Sequence, residues 1–124
     1  MYKKRILIVE NDDIIAKLER EILEKNGFEV DIARDGVEGL QRVNSDRYDV
    51  IISDLLMPRM GGDEFYQEVK RLGKDLEKRV IFVTSAINDF IESTGNRFLK
   101  KPFTSEQLVK ATKDFMNLRQ LERT

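Results

Sequence analysis

Four short segments carry side chains able to do chemistry: Glu10-Asn11-Asp12-Asp13, Asp54, Thr84-Ser85 and Lys100-Lys101. Each one follows directly on an apolar run. Crowded carboxylates repel, and two unit charges ~5 Å apart cost roughly 3 kcal/mol at an effective dielectric near 20. A hard divalent cation relieves that repulsion, and oxygen ligands with water suit Mg²⁺. A lysine beside them binds an anion that arrives with the metal. Cation, carboxylate, hydroxyl and ammonium together describe phosphoryl chemistry, with Asp54 as a nucleophile able to carry an aspartyl phosphate. Taken singly, each segment has a plainer explanation. The acidic stretch caps a helix and favours its N-terminus, Asp54 starts a turn, Thr84 caps the next helix and Lys101 is solvated. The chemistry requires that the fold bring the four together.

Composition removes the main rivals. The chain has 124 residues, with 22 Lys+Arg against 23 Asp+Glu, and a formal net charge of -1. This length makes one domain with a single core. There is no Cys and no His, which excludes disulfides, thiolate nucleophiles, Cys-type zinc sites, Ser-His-Asp triads and two-His metal motifs. A phosphohistidine would have to come from a second protein. The charge balance argues against direct nucleic-acid binding. Met1-Tyr2-Lys3-Lys4-Arg5 resembles the basic lead of a signal peptide, but Ile6-Leu7-Ile8-Val9 is too short for a signal core or a membrane span. The reading is a soluble cytoplasmic protein without a membrane partner.

The elements that must position these residues alternate in period. Arg5 to Val9 and Val50-Ile51-Ile52, within Asp49 to Asp54, are continuous apolar runs, as strands buried on both faces require. Val80 to Val83 is another, Phe28, Val30 and Ile32 alternate, and Phe98-Leu99 makes a short fifth strand. Helical stripes fall between them. Ile15, Leu18, Ile22 and Leu23 run from a cap at Asp12 or Asp13 to Gly27, and Val37, Leu40 and Val43 follow the Asp35-Gly36 turn. Phe65, Val69 and Leu72 make a third stripe, and Asn88 to Ser93 allows one or two turns. Leu108, Ala111, Phe115 and Leu118 follow a cap at Thr104 or Ser105. Five strand-helix alternations predict a doubly wound α/β fold with a parallel sheet covered by helices on both faces. Ligands of such sheets bind beyond the carboxyl ends of the strands, where the four segments lie.

The segments ILIVENDD (6–13), DVIISDLLMPRMGG (49–62), VIFVTSA (80–86) and FLKKPFT (98–104), in this order, resemble the receiver domain of two-component response regulators. The resemblance covers essentially the whole chain, about residues 3–121. It implies a flavodoxin-like five-stranded sheet in the order 2-1-3-4-5. It implies Asp54 as phosphoacceptor, Thr84 as hydrogen-bond donor to a phosphoryl oxygen, and Lys101 as its ion-pair partner. Mg²⁺ would be held by Glu10, Asn11, Asp54 and the backbone carbonyl of Leu56. Lys101-Pro102 matches the family's lysine and cis proline, and Phe98 falls at its aromatic switch position. The implied partners are a sensor histidine kinase or phosphotransfer protein as donor, and a downstream protein or fused output domain as target. The charged segment 119–124 leaves open a chain that docks alone or a piece of something longer.

Departures from the family pattern carry their own expectations. Leu56 and Ala86 stand where the family controls the hydrolytic water, and neither side chain can hydrogen-bond one, so self-dephosphorylation should be slow. Ser85 is small enough to leave the site accessible. Phe98 is either the switch aromatic or a core aromatic at a strand end. The fourth helix is shortened by about one turn, which puts the partner face in question. Gly61-Gly62-Asp63-Glu64-Phe65 spells the diguanylate cyclase signature, but it opens a helix here, in a chain shorter than a cyclase domain. A flavodoxin-like cofactor binder fails because the acidic loop after the first strand repels phosphate. A receiver-like binding module that ignores phosphorylation is the remaining alternative.

The family usually has a second Asp where this chain has Asn11. An amide oxygen can ligate Mg²⁺ but lacks the charge, so Asn11→Asp should tighten Mg²⁺ binding in a calorimetric titration. Equal affinities would defeat this expectation, which holds unless Asp12 takes over directly or through water; sliding the pair to Asp12-Asp13 would lengthen the first strand.

Overall fold

The computed structural model describes residues 3–85 and 87–123. Ala86 and the side chain of Leu118 therefore lie outside the described residues. The chain runs β1 (Arg5–Val9), α1 (Asp13–Lys25), β2 (Glu29–Ala33), α2 (Gly36–Ser45), β3 (Val50–Asp54) and α3 (Gly62–Arg71). A 3₁₀ turn (Leu76–Arg79), β4 (Val80–Thr84), α4 (Asp89–Thr94), β5 (Phe98–Lys100) and α5 (Ser105–Arg123) complete it. The five strands pair in parallel in the order β2-β1-β3-β4-β5.

Alternation along the strands explains the two-faced core. Leu7, Val9, Ile51 and Phe82 pack on one side with Phe65 and Val69 of α3. Ile6, Ile8, Ile52 and Ile81 pack on the other with Leu23 of α1 and Leu108 of α5. Both faces are covered, so β1, β3 and β4 can be apolar nearly throughout.

The helices start where the sequence offers caps. Asp12 accepts from the backbone N–H groups of Ile14 and Ile15, and Asp35 accepts from Glu38. Thr104 Oγ1 accepts from the Gln107 N–H at 3.1 Å while Gln107 Oε1 accepts from the Thr104 N–H at 2.8 Å, a reciprocal capping box. The helix α4 has six residues, capped by Asn88 and ended by Gly95 at φ +70°. It is held to the sheet by Phe90, whose ring lies 5.7 Å from those of Tyr66 and Phe82.

One expected face is rotated. Leu18 is 55% exposed, whereas Ala16, Glu19 and Leu23 are buried. Apolar residues at 14, 15, 18, 22 and 23 spread over half of the α1 circumference, so periodicity alone does not choose the buried stripe. Docking between the sheet and α5 chooses the stripe that includes a glutamate.

The Gly61-Gly62 pair also has a packing reason. Gly61 precedes the first turn of α3, and the Gly62 N–H donates to the Leu55 carbonyl at 2.8 Å. A Cβ on Gly62 would overlap the Asp54 carbonyl oxygen, so only glycine lets α3 begin this close to the end of β3. The segment that spells the cyclase signature is the start of a helix, not a hairpin.

Candidate functional site

The register sets four strand ends side by side. Val9 pairs with Ser53, Asp54 pairs with Val83, and Thr84 pairs with Lys100. Glu10 extends the β1–β2 ladder by one bond, its N–H donating to the Ala33 carbonyl at 2.9 Å, and its side chain is buried. Asp54 ends β3. Its Oδ1 accepts from the Leu55 N–H at 2.8 Å, and its Oδ2 accepts from Lys101 Nζ at 3.0 Å. Lys101 Nζ also lies 3.8 Å from Glu10 Oε1. The Lys101 N–H donates to the Thr84 carbonyl at 2.7 Å, which ties the lysine to the end of β4. The Lys101-Pro102 peptide is cis.

One ammonium thus faces two carboxylates. Burial pushes the Glu10 carboxyl up to about 8, the hydrogen bond and charge of Asp54 push in the same direction, and Lys101 only partly opposes them. Burial alone would lower the Lys101 pKa, but Asp54, Glu10 and Glu19 more than offset it and the net shift is upward. The cluster is short of positive charge, and its donors are hard oxygens, which is the environment that fits Mg²⁺. Among the described residues, no three acidic side chains gather closely enough to hold a metal. A cation here would rest on two carboxylates plus amide, carbonyl or water oxygens, as Mg²⁺ commonly does.

The sequence-derived residues divide accordingly. Glu10, Asp54 and Lys101 converge, with Thr84 buried at the same edge. Asn11 is exposed, immediately beyond Glu10. Asp12 spends its Oδ1 on the α1 cap, at 2.9 Å from the Ile14 nitrogen, and Asp13 lies 3.7 Å from Arg34. The geometry therefore favours Glu10-Asn11 over Asp12-Asp13 as the pair at the sheet edge. Leu56 is 80% exposed just past Asp54, and Ser85 is exposed. Phe98 is 40% exposed, so it is not a core aromatic.

Three residues at this edge escaped the sequence reading. Asp35, read as a turn residue, is a buried carboxylate paired with Arg59 at 2.6 Å. Arg59 drew no attention because nothing in its spacing marks it. Glu19 sits on the buried stripe of α1, and its Oε2 has no hydrogen-bond partner. The signal for Glu19 was its placement three residues after Ala16 and four before Leu23, the inward spacing of a helix.

Residues 6–113 match the family model for the response regulator receiver domain. The chain belongs to that family: it is a receiver domain of the two-component response regulators. It is 31% identical over 121 residues to the response regulator MprA of Mycobacterium ulcerans, covering 95% of this chain and 52% of the relative. It is 35% identical over 116 residues to the probable transcriptional regulator ycf29 of Porphyra purpurea, covering 90% of this chain and 56% of the relative. The chain spans about half the length of the curated relatives it matches. Among solved structures, the Vibrio cholerae chemotaxis protein CheY4 superposes with a TM-score of 0.83 at 30% identity, covering 91% of this chain and 98% of that one. A CheY-like receiver domain protein from Methanospirillum hungatei reaches 0.88 at 28% identity, covering 97% and 98%. Among the described residues, no helix is long and apolar enough to cross a membrane.

Glu19 gives the site a pH-dependent cost. Burial raises its carboxyl to about 7 from 4.5, Lys101 opposes the rise and Asp54 adds to it. The folded state therefore keeps a proton that the unfolded chain releases. The contribution of Glu19 to stability is greatest below pH 4.5 and falls as pH rises to about 7. Glu19→Gln should remove a penalty on the order of 3 kcal/mol at pH 8 and much less at pH 5, measured by urea unfolding in metal-free buffer. A gain equal at both pH values would show that Glu19 does not titrate with folding.

Proposed function

We propose that this receiver is a phosphorylation switch in which Asp54 accepts a phosphoryl group from a phosphohistidine on a sensor histidine kinase or phosphotransfer protein. The observation that carries the reading is the contact of Lys101 Nζ with Asp54 Oδ2 at 3.0 Å, at the carboxyl edge of the sheet beside Glu10. The Leu55 N–H holds Oδ1, so Oδ2 is the oxygen facing the ammonium group. In the transfer, an Asp54 carboxylate oxygen forms a bond to phosphorus as the donor's P–N bond breaks, and that electron pair returns to the imidazole nitrogen. Lys101 then pairs with a phosphoryl oxygen. Bound at Glu10, Asn11, Asp54 and the Leu56 carbonyl, Mg²⁺ would supply charge neutralisation for the transferring group.

The product adds up to about two negative charges at Asp54. A hydrogen bond from Thr84 to the phosphoryl group would draw the end of β4 inward. Phe98, exposed in this conformation, would turn in as that space changes. The response is a population shift of the face built from α4, β5 and α5, read by a downstream protein or an output domain. The setting is cytoplasmic. The relatives that extend beyond this chain make a fused output domain the natural target.

The Leu56 side chain, exposed just past Asp54, cannot orient water. Acetyl phosphate with Mg²⁺ should add the mass of one phosphoryl group, absent in Asp54→Ala, and Leu56→Asn should shorten the life of the adduct. No mass gain under any metal condition would replace the switch with a passive binding module.

A further inference from the structure

The loop between β3 and α3 carries the Leu56 carbonyl, yet Leu56 does nothing to fix it. Its side chain is 80% exposed, so packing does not hold this residue in place. The loop is fixed at its root, where the Leu55 N–H is held by Asp54 Oδ1 and the Gly62 N–H by the Leu55 carbonyl. Met57 and Met60 pack against the core, and a further attachment, at Arg59 and Met60, leads to a different element.

Arg59 has φ 63°, in the left-handed region that L-residues with a long side chain avoid. Glycine or asparagine would suit that backbone better. What arginine adds is its Nε, 2.6 Å from Asp35 Oδ2. Asp35 is 5% exposed, and its Oδ1 accepts from the Glu38 N–H at 2.9 Å as the cap of α2. The next residue, Gly36, donates its N–H to the Met60 carbonyl at 3.1 Å. A Cβ on Gly36 would come within 2.7 Å of that oxygen. Two consecutive loop residues are thus bound to two consecutive residues at the N-terminus of α2. Arg59 also holds the Asp35 carboxyl below its ordinary range, with burial opposing, so the pair is ionised at neutral pH.

We propose that the Asp35–Arg59 ion pair clamps the β3–α3 loop to α2 and so sets the position of the Leu56 carbonyl for the divalent cation. Arg59 is then a positioning residue for a metal it does not touch. The proposal rests on the Mg²⁺ reading of the site. It makes an unusual demand on sign. Removing a positive charge near a cation site tightens binding by electrostatics alone, whereas loss of the clamp weakens it.

Titration with Mg²⁺ alone, followed by calorimetry, separates the two. Arg59→Asn, which tolerates the left-handed backbone, should raise the Kd about tenfold, the scale of a lost outer-shell contact. Arg59→Lys, which keeps the charge, should recover most of the loss. The metal-free melting temperature should fall in Arg59→Asn, where the buried Asp35 carboxylate loses its partner, and recover in Arg59→Lys, so the titrations are run well below both transitions. An unchanged or tighter Kd in Arg59→Asn, or an equal loss in both variants, overturns the clamp and leaves the Mg²⁺ reading standing. If the unsubstituted chain binds no Mg²⁺, both fall.

Discussion

The Lys101 ammonium, set 3.0 Å from Asp54 and 3.8 Å from Glu10, is the contact on which the arrangement of this edge depends. It joins the ends of β1 and β3 to the residue after β5, three strands that are not consecutive in the chain. Two carboxylates brought this close repel, and a single cation cannot fully satisfy both. The fold tolerates the imbalance because the ladder and the apolar core on both faces fix the strand ends independently of the charges. In the proposed function the imbalance is useful. A divalent cation would take the place of the proton that burial keeps on Glu10, and with Lys101 it would make room for a more negative phosphoryl group.

That contact is also coupled outward. The Lys101 backbone is bonded to the Thr84 carbonyl, so a movement at the end of β4 is transmitted to the lysine directly. Next to them, β5 is three residues long and carries Phe98 with its ring partly in solvent. The preceding α4 has six residues, held by Phe90 in an aromatic cluster with Tyr66 and Phe82. A short edge strand and a short helix are elements with little packing to lose, and such elements are where a fold can hold two conformations of similar energy.

The fold was largely legible in the sequence because its signal is redundant. Apolar runs such as Ile6 to Val9 and Val80 to Val83 read as buried strands regardless of neighbours, and the caps at Asp12 and Thr104 mark helix starts. Glu10, Asp54, Thr84 and Lys101 were legible because parallel topology sends every strand end to one edge. Leu18 was misplaced because α1 offers two overlapping apolar stripes and only the tertiary packing selects one. Glu19 was missed for the same reason, since a glutamate on a helix is ordinarily solvated. Asp35 and Arg59 were illegible for another reason. They are 24 residues apart, and no local spacing reports a bond between two loops. Phe98 left two readings open until its exposure excluded the core.

The central claim is that a proton-bearing Glu10 and an ion-paired Asp54 form a site that a divalent cation completes. Calorimetric titration with Mg²⁺ at pH 7, in buffers of different ionisation enthalpy, counts the protons released on binding. With the Glu10 carboxyl raised to about 8, the account predicts release of about one proton per ion. The release should persist in Glu19→Gln and vanish in Glu10→Gln. Mg²⁺ binding without proton release in the unsubstituted protein would contradict it.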